Sequence, residues 1–136
     1  SGGKYVAPAP IESLLKESFL IEQAMVVGDQ LKFVSALITP SVEALQKWCE
    51  LHDISWTNEA EILKNEKVVA KYQSKVDEVN SNFGHIEQIK KFALLPVTWD
   101  PVRTDGTESE LTPTMKLKRR VIQQKFAAEI QKMYAD

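Results

Sequence analysis

Two runs of apolar, β-branched residues, Gln23–Val27 and Phe33–Thr39, lie on either side of Gly28-Asp29-Gln30. Each run has the length of a strand, and the tripeptide between them has the composition of a turn, so the spacing predicts a β-hairpin. Neither run alternates polar with apolar residues. A strand that is apolar on both sides needs cover, so the hairpin is expected to carry helices on at least one face.

The rest of the chain can supply that cover. Tyr5–Pro8 is short and β-prone, and Pro8 and Pro10 delay a helix that Pro10 is suited to begin. Ile11, Leu14, Leu15, Ser18 and Phe19 then recur at helical spacing and predict one buried face. Glu12 falls in the expected first turn, where the helix dipole favours an acid. Pro40 ends the second strand, and Ser41 can cap a helix running to about His52, with Val42, Leu45 and Cys49 inward and Trp48 flanking them. Asn58 and Glu61 have capping-box spacing for a short helix. A longer helix, roughly Glu66–Phe83, keeps its period through Val69, Tyr72, Val76, Val79 and Phe83, and Gly84 is a natural stop. Ile89–Leu95 reads as a third strand closed by Pro96. Val97–Pro113 is a long polar stretch, too long to be an incidental connection, and Asp105-Gly106 could turn a hairpin within it. Ile122, Phe126, Ile130 and Met133 mark a C-terminal amphipathic helix. The expected fold is α+β: a small, roughly three-stranded sheet packed by helices, with a protruding loop or hairpin near 98–113.

Length and composition narrow the function. A chain of 136 residues with 43% hydrophobic and 26% charged content suits one folded domain. A net charge of −2 argues against bulk nucleic-acid binding. Cys49 is the only cysteine, so no intrachain disulfide can form and a reducing compartment is favoured. His52 and His85 do not have zinc-ligand spacing. No apolar run approaches the roughly 20 residues of a membrane span, and no signal peptide is evident. Ser1-Gly2-Gly3 leads straight into an extended apolar segment, which suggests a chain cut from a longer protein.

The chemistry concentrates in Leu111-Thr112-Pro113-Thr114-Met115-Lys116-Leu117-Lys118-Arg119-Arg120. A loop bounded by Pro113 feeds four cations packed into five residues, Lys116 to Arg120. Such a run can be a plain solvated helix start. Cations at a helix N-terminus oppose the dipole, however, so four together suggest that an anion is expected there. Lys116 sits at the loop's end, where a long-stemmed point charge can reach into a separate site and meet a phosphate or carboxylate. At the other end, Gly2-Gly3 would let the backbone approach a ligand closely, or would simply be a flexible remnant.

Together the two ends resemble the adenylate-forming superfamily, which includes acyl-CoA synthetases, luciferases and peptide-synthetase adenylation domains. Gly3-Lys4-Tyr5-Val6-Ala7-Pro8-Ala9-Pro10-Ile11-Glu12 is similar to that family's glycine–x–x–aliphatic–x–proline–x–x–Ile–Glu motif, and Leu111–Lys116 to its terminal motif, which ends in the catalytic lysine. The spelling of Thr112–Arg119, with Gln88-Ile89-Lys90-Lys91-Phe92, resembles the long-chain fatty-acid–CoA ligase branch. One departure is Met115, where most members acting on small acids have glycine.

The resemblance implies the mobile C-terminal domain, spanning 1–136, of a ligase whose large N-terminal adenylation domain is absent. That enzyme would use MgATP to convert a fatty acid to acyl-adenylate, and coenzyme A to take the acyl group. Lys116 would be catalytic in the first step. Gly3, Lys4 and Tyr5 would face the site in the second, and Lys118, Arg119 and Arg120 would meet coenzyme A phosphates or serve as plain surface. No metal ligand is expected in this chain; Mg2+ would be held with the N-terminal domain. The fragment alone would be inactive, and the full enzyme cytoplasmic, or peripheral at the membrane. Trp99 would pack against the absent domain, while Cys49 is expected in the core and His85 at the surface. The competing expectation is a stand-alone binding module with a basic anion-docking patch at 116–120.

Overall fold

The computed structural model describes residues 6–135. They form helix α1 (Pro8–Leu15), strands β1 (Ile21–Val27) and β2 (Val34–Pro40), helices α2 (Val42–Leu51), α3 (Glu59–Ile62) and α4 (Glu66–Asn80), a 3-10 turn (His85–Glu87), strand β3 (Ile89–Leu94), and helices α5 (Arg119–Lys125) and α6 (Ala127–Tyr134). The sheet order is β1-β2-β3. β1 and β2 make the expected antiparallel hairpin, with Val27 opposite Ser35. β3 lies parallel to β2, with Ala36 opposite Phe92 and Ile38 opposite Leu94. Parallel neighbours require a long crossover, and α2, α3 and α4 supply it.

Both sheet faces are covered, which explains why the two runs lack alternation. Ala24, Val26, Ala36 and Ile38 enter one core, with Ile11, Leu15, Leu45, Cys49, Tyr72 and Val76. Met25, Val27 and Leu37 point the other way, into a second core with Leu95, Trp99, Leu111, Ile122 and Met133. Side chains one apart on a strand face opposite sides, so one strand feeds both cores. Leu37 is fully buried; truncating such a side chain to alanine typically costs about 2–5 kcal/mol.

Polar groups fix how the layers meet. The Tyr72 hydroxyl donates to the Leu20 carbonyl at 2.8 Å, and burial pushes this phenol's pKa far above its usual value. On the other side, the Tyr134 hydroxyl donates to the Phe33 carbonyl at 2.7 Å and lies 2.9 Å from the Ser35 hydroxyl. The Tyr134 ring stacks on Phe33 at 4.5 Å, so α6 is tied to the turn end of the β1–β2 hairpin.

Several expectations shift for local reasons. Of Tyr5–Pro8, Tyr5 lies outside the described residues, Ala7 is extended, and Pro8 already opens α1. Glu12 therefore falls past the first turn. Helix α1 stops at Leu15, so Phe19 leaves the helical face and is 65% exposed, while Leu20 takes the interior position. In α4 the buried stripe is Val68, Tyr72, Val76 and Val79, and Val69 turns outward. Its N-cap is Asn65, whose side-chain oxygen accepts from Lys67 and Val68 amides. The same helix ends at Asn80, before Gly84, and the Asn80 side-chain amide pairs with both backbone groups of Ile89, at 2.8 and 3.0 Å. Gly84 then adopts an ordinary negative φ of −71°. The C-terminal helix is two helices, parted at Phe126, whose ψ of 28° is non-helical. Ile122, Phe126, Ile130 and Met133 still share the second core.

Candidate functional site

The segment around Lys116 is a small hairpin outside the main sheet. Leu111 and Leu117 form an antiparallel bridge, and the Lys118 amide donates to the Glu110 carbonyl at 2.8 Å. Leu111 is fully buried in the second core and anchors one arm. The tip is Thr112-Pro113-Thr114-Met115, closed by the Met115 amide donating to the Thr112 carbonyl at 2.8 Å. Pro113 occupies the second position of this turn, where its fixed φ is favourable. The Lys116 amide donates to the Thr112 hydroxyl at 3.1 Å. Met115 has a φ of 67°, in the left-handed region that favours glycine. The glycine that most small-acid members of the resembling family carry at this position suits that conformation.

The basic run is largely neutralised within the fold. Lys118 pairs with Glu108 at 3.2 Å, and Arg120 meets the same carboxylate at 3.6 Å. Arg119 forms two hydrogen bonds to the buried carboxylate of Glu12, at 2.7 and 2.8 Å. Glu12 also accepts the Val26 amide at 2.7 Å, so one carboxylate joins α1, β1 and α5. Lys116 is exposed and, unlike these three, its ammonium has no ion-pair partner among the described residues. The structure thus separates one available cation from three that already hold acids.

Under the hairpin lies a buried acid that sequence reasoning did not single out. Glu110 is 1% exposed. Its carboxylate accepts Arg103 Nε at 3.0 and 2.9 Å, Lys125 Nζ at 2.6 Å and the Asp100 amide at 3.0 Å. Burial would raise its pKa, but the hydrogen bonds from Arg103, Lys125 and the Asp100 amide more than offset this and hold it at about 2. Arg103 also donates to the Thr98 carbonyl at 2.7 Å, and Lys125 reaches the Glu108 carbonyl. The polar stretch after Pro96 is therefore strapped onto α5. Asp105-Gly106 does not turn a hairpin; the Asp105 carboxylate instead accepts the amide and hydroxyl of Thr107. A sequence signal did exist: Glu108 and Glu110 precede a proline turn and Lys118 and Arg120 follow it, the charge pattern of a hairpin with cross-strand pairs.

Trp99 is 2% exposed and packs in this chain's own second core, 6.0 Å from the Phe126 ring, so it is not held out for another domain. Cys49 lies in the first core, and His85 is exposed at the 3-10 turn. Gly3, Lys4 and Tyr5 fall outside the described residues. Val6 lies beside a cleft of about 630 Å³ lined also by Pro8, Gly28, Arg119 and Ile130. Among the described residues no group of three or more His, Cys, Asp or Glu could hold a metal ion, and no helix is long and apolar enough to cross a membrane.

This is a small α+β domain in which Lys116, unlike Lys118, Arg119 and Arg120, has no acid partner among the described residues. By sequence it belongs to the AMP-binding enzyme C-terminal domain family, whose model matches residues 1–136. It is 39% identical over 135 residues to the long-chain-fatty-acid–CoA ligase FadD15 of Mycobacterium tuberculosis, covering 98% of this chain and 22% of that protein. It is 34% identical over 152 residues to the long-chain-fatty-acid–CoA ligase ACSBG2 of Mus musculus, covering 98% and 22% respectively. The chain thus spans about a fifth of these curated relatives. The adenylation domain of a carboxylate reductase from Mycobacterium chelonae shares the fold, with a TM-score of 0.68 at 19% identity over 94% of this chain and 18% of that one.

Proposed function

We propose that this chain is the mobile C-terminal domain of a long-chain fatty-acid–CoA ligase and that Lys116 is its catalytic lysine. One observation carries the reading: of the four cations between 116 and 120, Lys116 stands at the hairpin tip without an acid partner among the described residues. A carboxylate-activating step needs such a group. The fatty-acid carboxylate oxygen attacks the α-phosphorus of ATP, an acyl–phosphate bond forms, and the bond to pyrophosphate breaks. Negative charge builds on the oxygens around phosphorus, and an ammonium delivered there stabilises it. A single electrostatic contact of this kind is worth on the order of 10²–10³ in rate. Mg2+ would accompany the nucleotide in the adenylation domain.

In the second step the thiol of coenzyme A attacks the acyl carbon, loses its proton, and AMP departs. Rotation of the domain would withdraw Lys116 and bring the Gly3-Lys4-Tyr5 segment to the site, the small glycine leaving room for the pantetheine arm. Lys118, Arg119 and Arg120 remain proposed contacts for coenzyme A phosphates, but each would have to share its charge with Glu108 or Glu12. The same pairings weigh against a stand-alone anion-docking patch at 116–120.

The test is Lys116→Ala in the intact ligase. Acyl-adenylate formation should fall by about 10²-fold or more, with thioester formation from supplied acyl-adenylate largely spared. Equal loss of both half-reactions would refute the assignment.

A further inference from the structure

We infer that Glu110 is a positioning residue for Lys116: its buried carboxylate, gripped by Arg103 and Lys125, sets the base of the hairpin from which that lysine projects. The inference rests on the catalytic reading of Lys116 and deepens it. The path between the two residues is short and specific. The Glu110 carbonyl receives the Lys118 amide, closing the hairpin one rung below the Leu111–Leu117 bridge. The Glu110 side chain meanwhile takes donors from three separate places: the Asp100 amide, Arg103 in the loop, and Lys125 on α5. The Leu111 amide donates to the Asp100 carbonyl at 3.2 Å, so the same two segments are stitched twice.

Beyond this base the tip has only internal support among the described residues. The Thr112 hydroxyl bonds to the Lys116 amide and to the Thr114 hydroxyl, both within the turn. Pro113, Thr114, Met115 and Lys116 are all exposed. Among the described residues nothing beyond the base sets the direction in which Lys116 leaves the domain, so a tilt at Glu110 becomes a displacement of the ammonium. Misplacement of a reacting or stabilising group by about 1 Å can cost 10²-fold in rate. Glu110 touches no substrate in this scheme and acts only through Lys116.

The experiment compares Glu110→Gln and Lys125→Met with Lys116→Ala in the intact ligase. Tyr134→Phe, which removes the hydroxyl bonded to Phe33 and Ser35 and touches none of the Glu110 partners, controls for general destabilisation. Both half-reactions are measured, together with amide hydrogen exchange across 111–118. Glu110→Gln and Lys125→Met should speed exchange in that segment and lower acyl-adenylate formation about tenfold or more, up to the order of 10²-fold. Thioester formation from supplied acyl-adenylate should be unchanged, and Tyr134→Phe should leave the ratio of the two rates as it was. If Lys116→Ala is selective for adenylation but Glu110→Gln and Lys125→Met depress both steps alike, or neither, the positioning role is refuted and the reading of Lys116 survives. If Lys116→Ala itself is unselective, that reading fails and this inference falls with it.

Discussion

Glu12 and Arg119, 107 residues apart in sequence, face each other in a two-bond pair at 2.7 and 2.8 Å. The carboxylate is nearly buried and the guanidinium partly exposed, with side-chain exposures of 8% and 39%. The pair ties the last residue of the Gly3–Glu12 motif to the helix following the Lys116 motif. Arg119→Ala should therefore destabilise the domain by about 1–3 kcal/mol, because it leaves a buried carboxylate with fewer donors. Arg119→Lys should recover only part of that loss, since an ammonium cannot engage both oxygens in the planar fork. Urea midpoints of the three proteins check both statements; a full recovery by lysine would show that charge alone matters here.

Glu110 should make the domain sensitive to acid. Its folded pKa of about 2 lies below the ordinary glutamate value near 4.3. Between those values the unfolded chain binds the extra proton, so stability rises with pH through the window. The contribution is complete above the unfolded value and is lost as pH falls toward 2. Its ceiling is about 3 kcal/mol from the size of the shift. Denaturation at pH 6 and at pH 3 should show a larger loss for the native chain than for Glu110→Gln. Equal losses would mean that Arg103 and Lys125 do not depress this acid.

Met115 offers a stabilising change. With a φ of 67° and 50% of its surface exposed, it has a left-handed backbone and little packing to lose. Met115→Gly should leave stability unchanged or raise it by up to about 1 kcal/mol. Met115→Ile should lower it, because a β-branched residue suits that conformation least. Thermal melts of the three chains decide the order.

Asn65 caps α4 through bonds to the Lys67 and Val68 amides at 2.9 and 3.2 Å. Asn65→Ala should cost about 1 kcal/mol, and Asn65→Asp should be tolerated. A drop in the denaturation midpoint for alanine alone is the expected result.

The elements whose apolar pattern is local are legible in the sequence. The β1–β2 hairpin, α2 through Leu45 and Cys49, and the strand at Ile89 each announce themselves within a short window. What was not legible depends on partners distant in sequence or on backbone accidents. That β3 would lie parallel beside β2 is a choice of topology that no window contains. The helical spacing of Phe19 points it inward, but the chain leaves the helix at Leu15. Trp99 was expected to face another domain because its neighbours are polar, yet those neighbours fold back on Glu110 and carry the indole inside. At the site, Lys116 could be picked out from its motif. That Arg119 would be occupied could not, since Glu12 lies at the far end of the chain, whereas Lys118 and Arg120 meet Glu108 across the turn.

Asn80 does for β3 what a further strand would do at its first rung: one side-chain amide offers Ile89 both a donor and an acceptor. No strand pairs beyond β3 among the described residues, so this edge begins under a miniature lid made from a helix end. Open edges invite pairing between molecules, and a charged or blocked start discourages it. The lysines that follow, Lys90 and Lys91, extend the same protection along the strand. A chain in which residue 80 is aliphatic would thus trade a quiet border for an adhesive one, and crowding of many copies, rather than loss of the fold, would be the first sign.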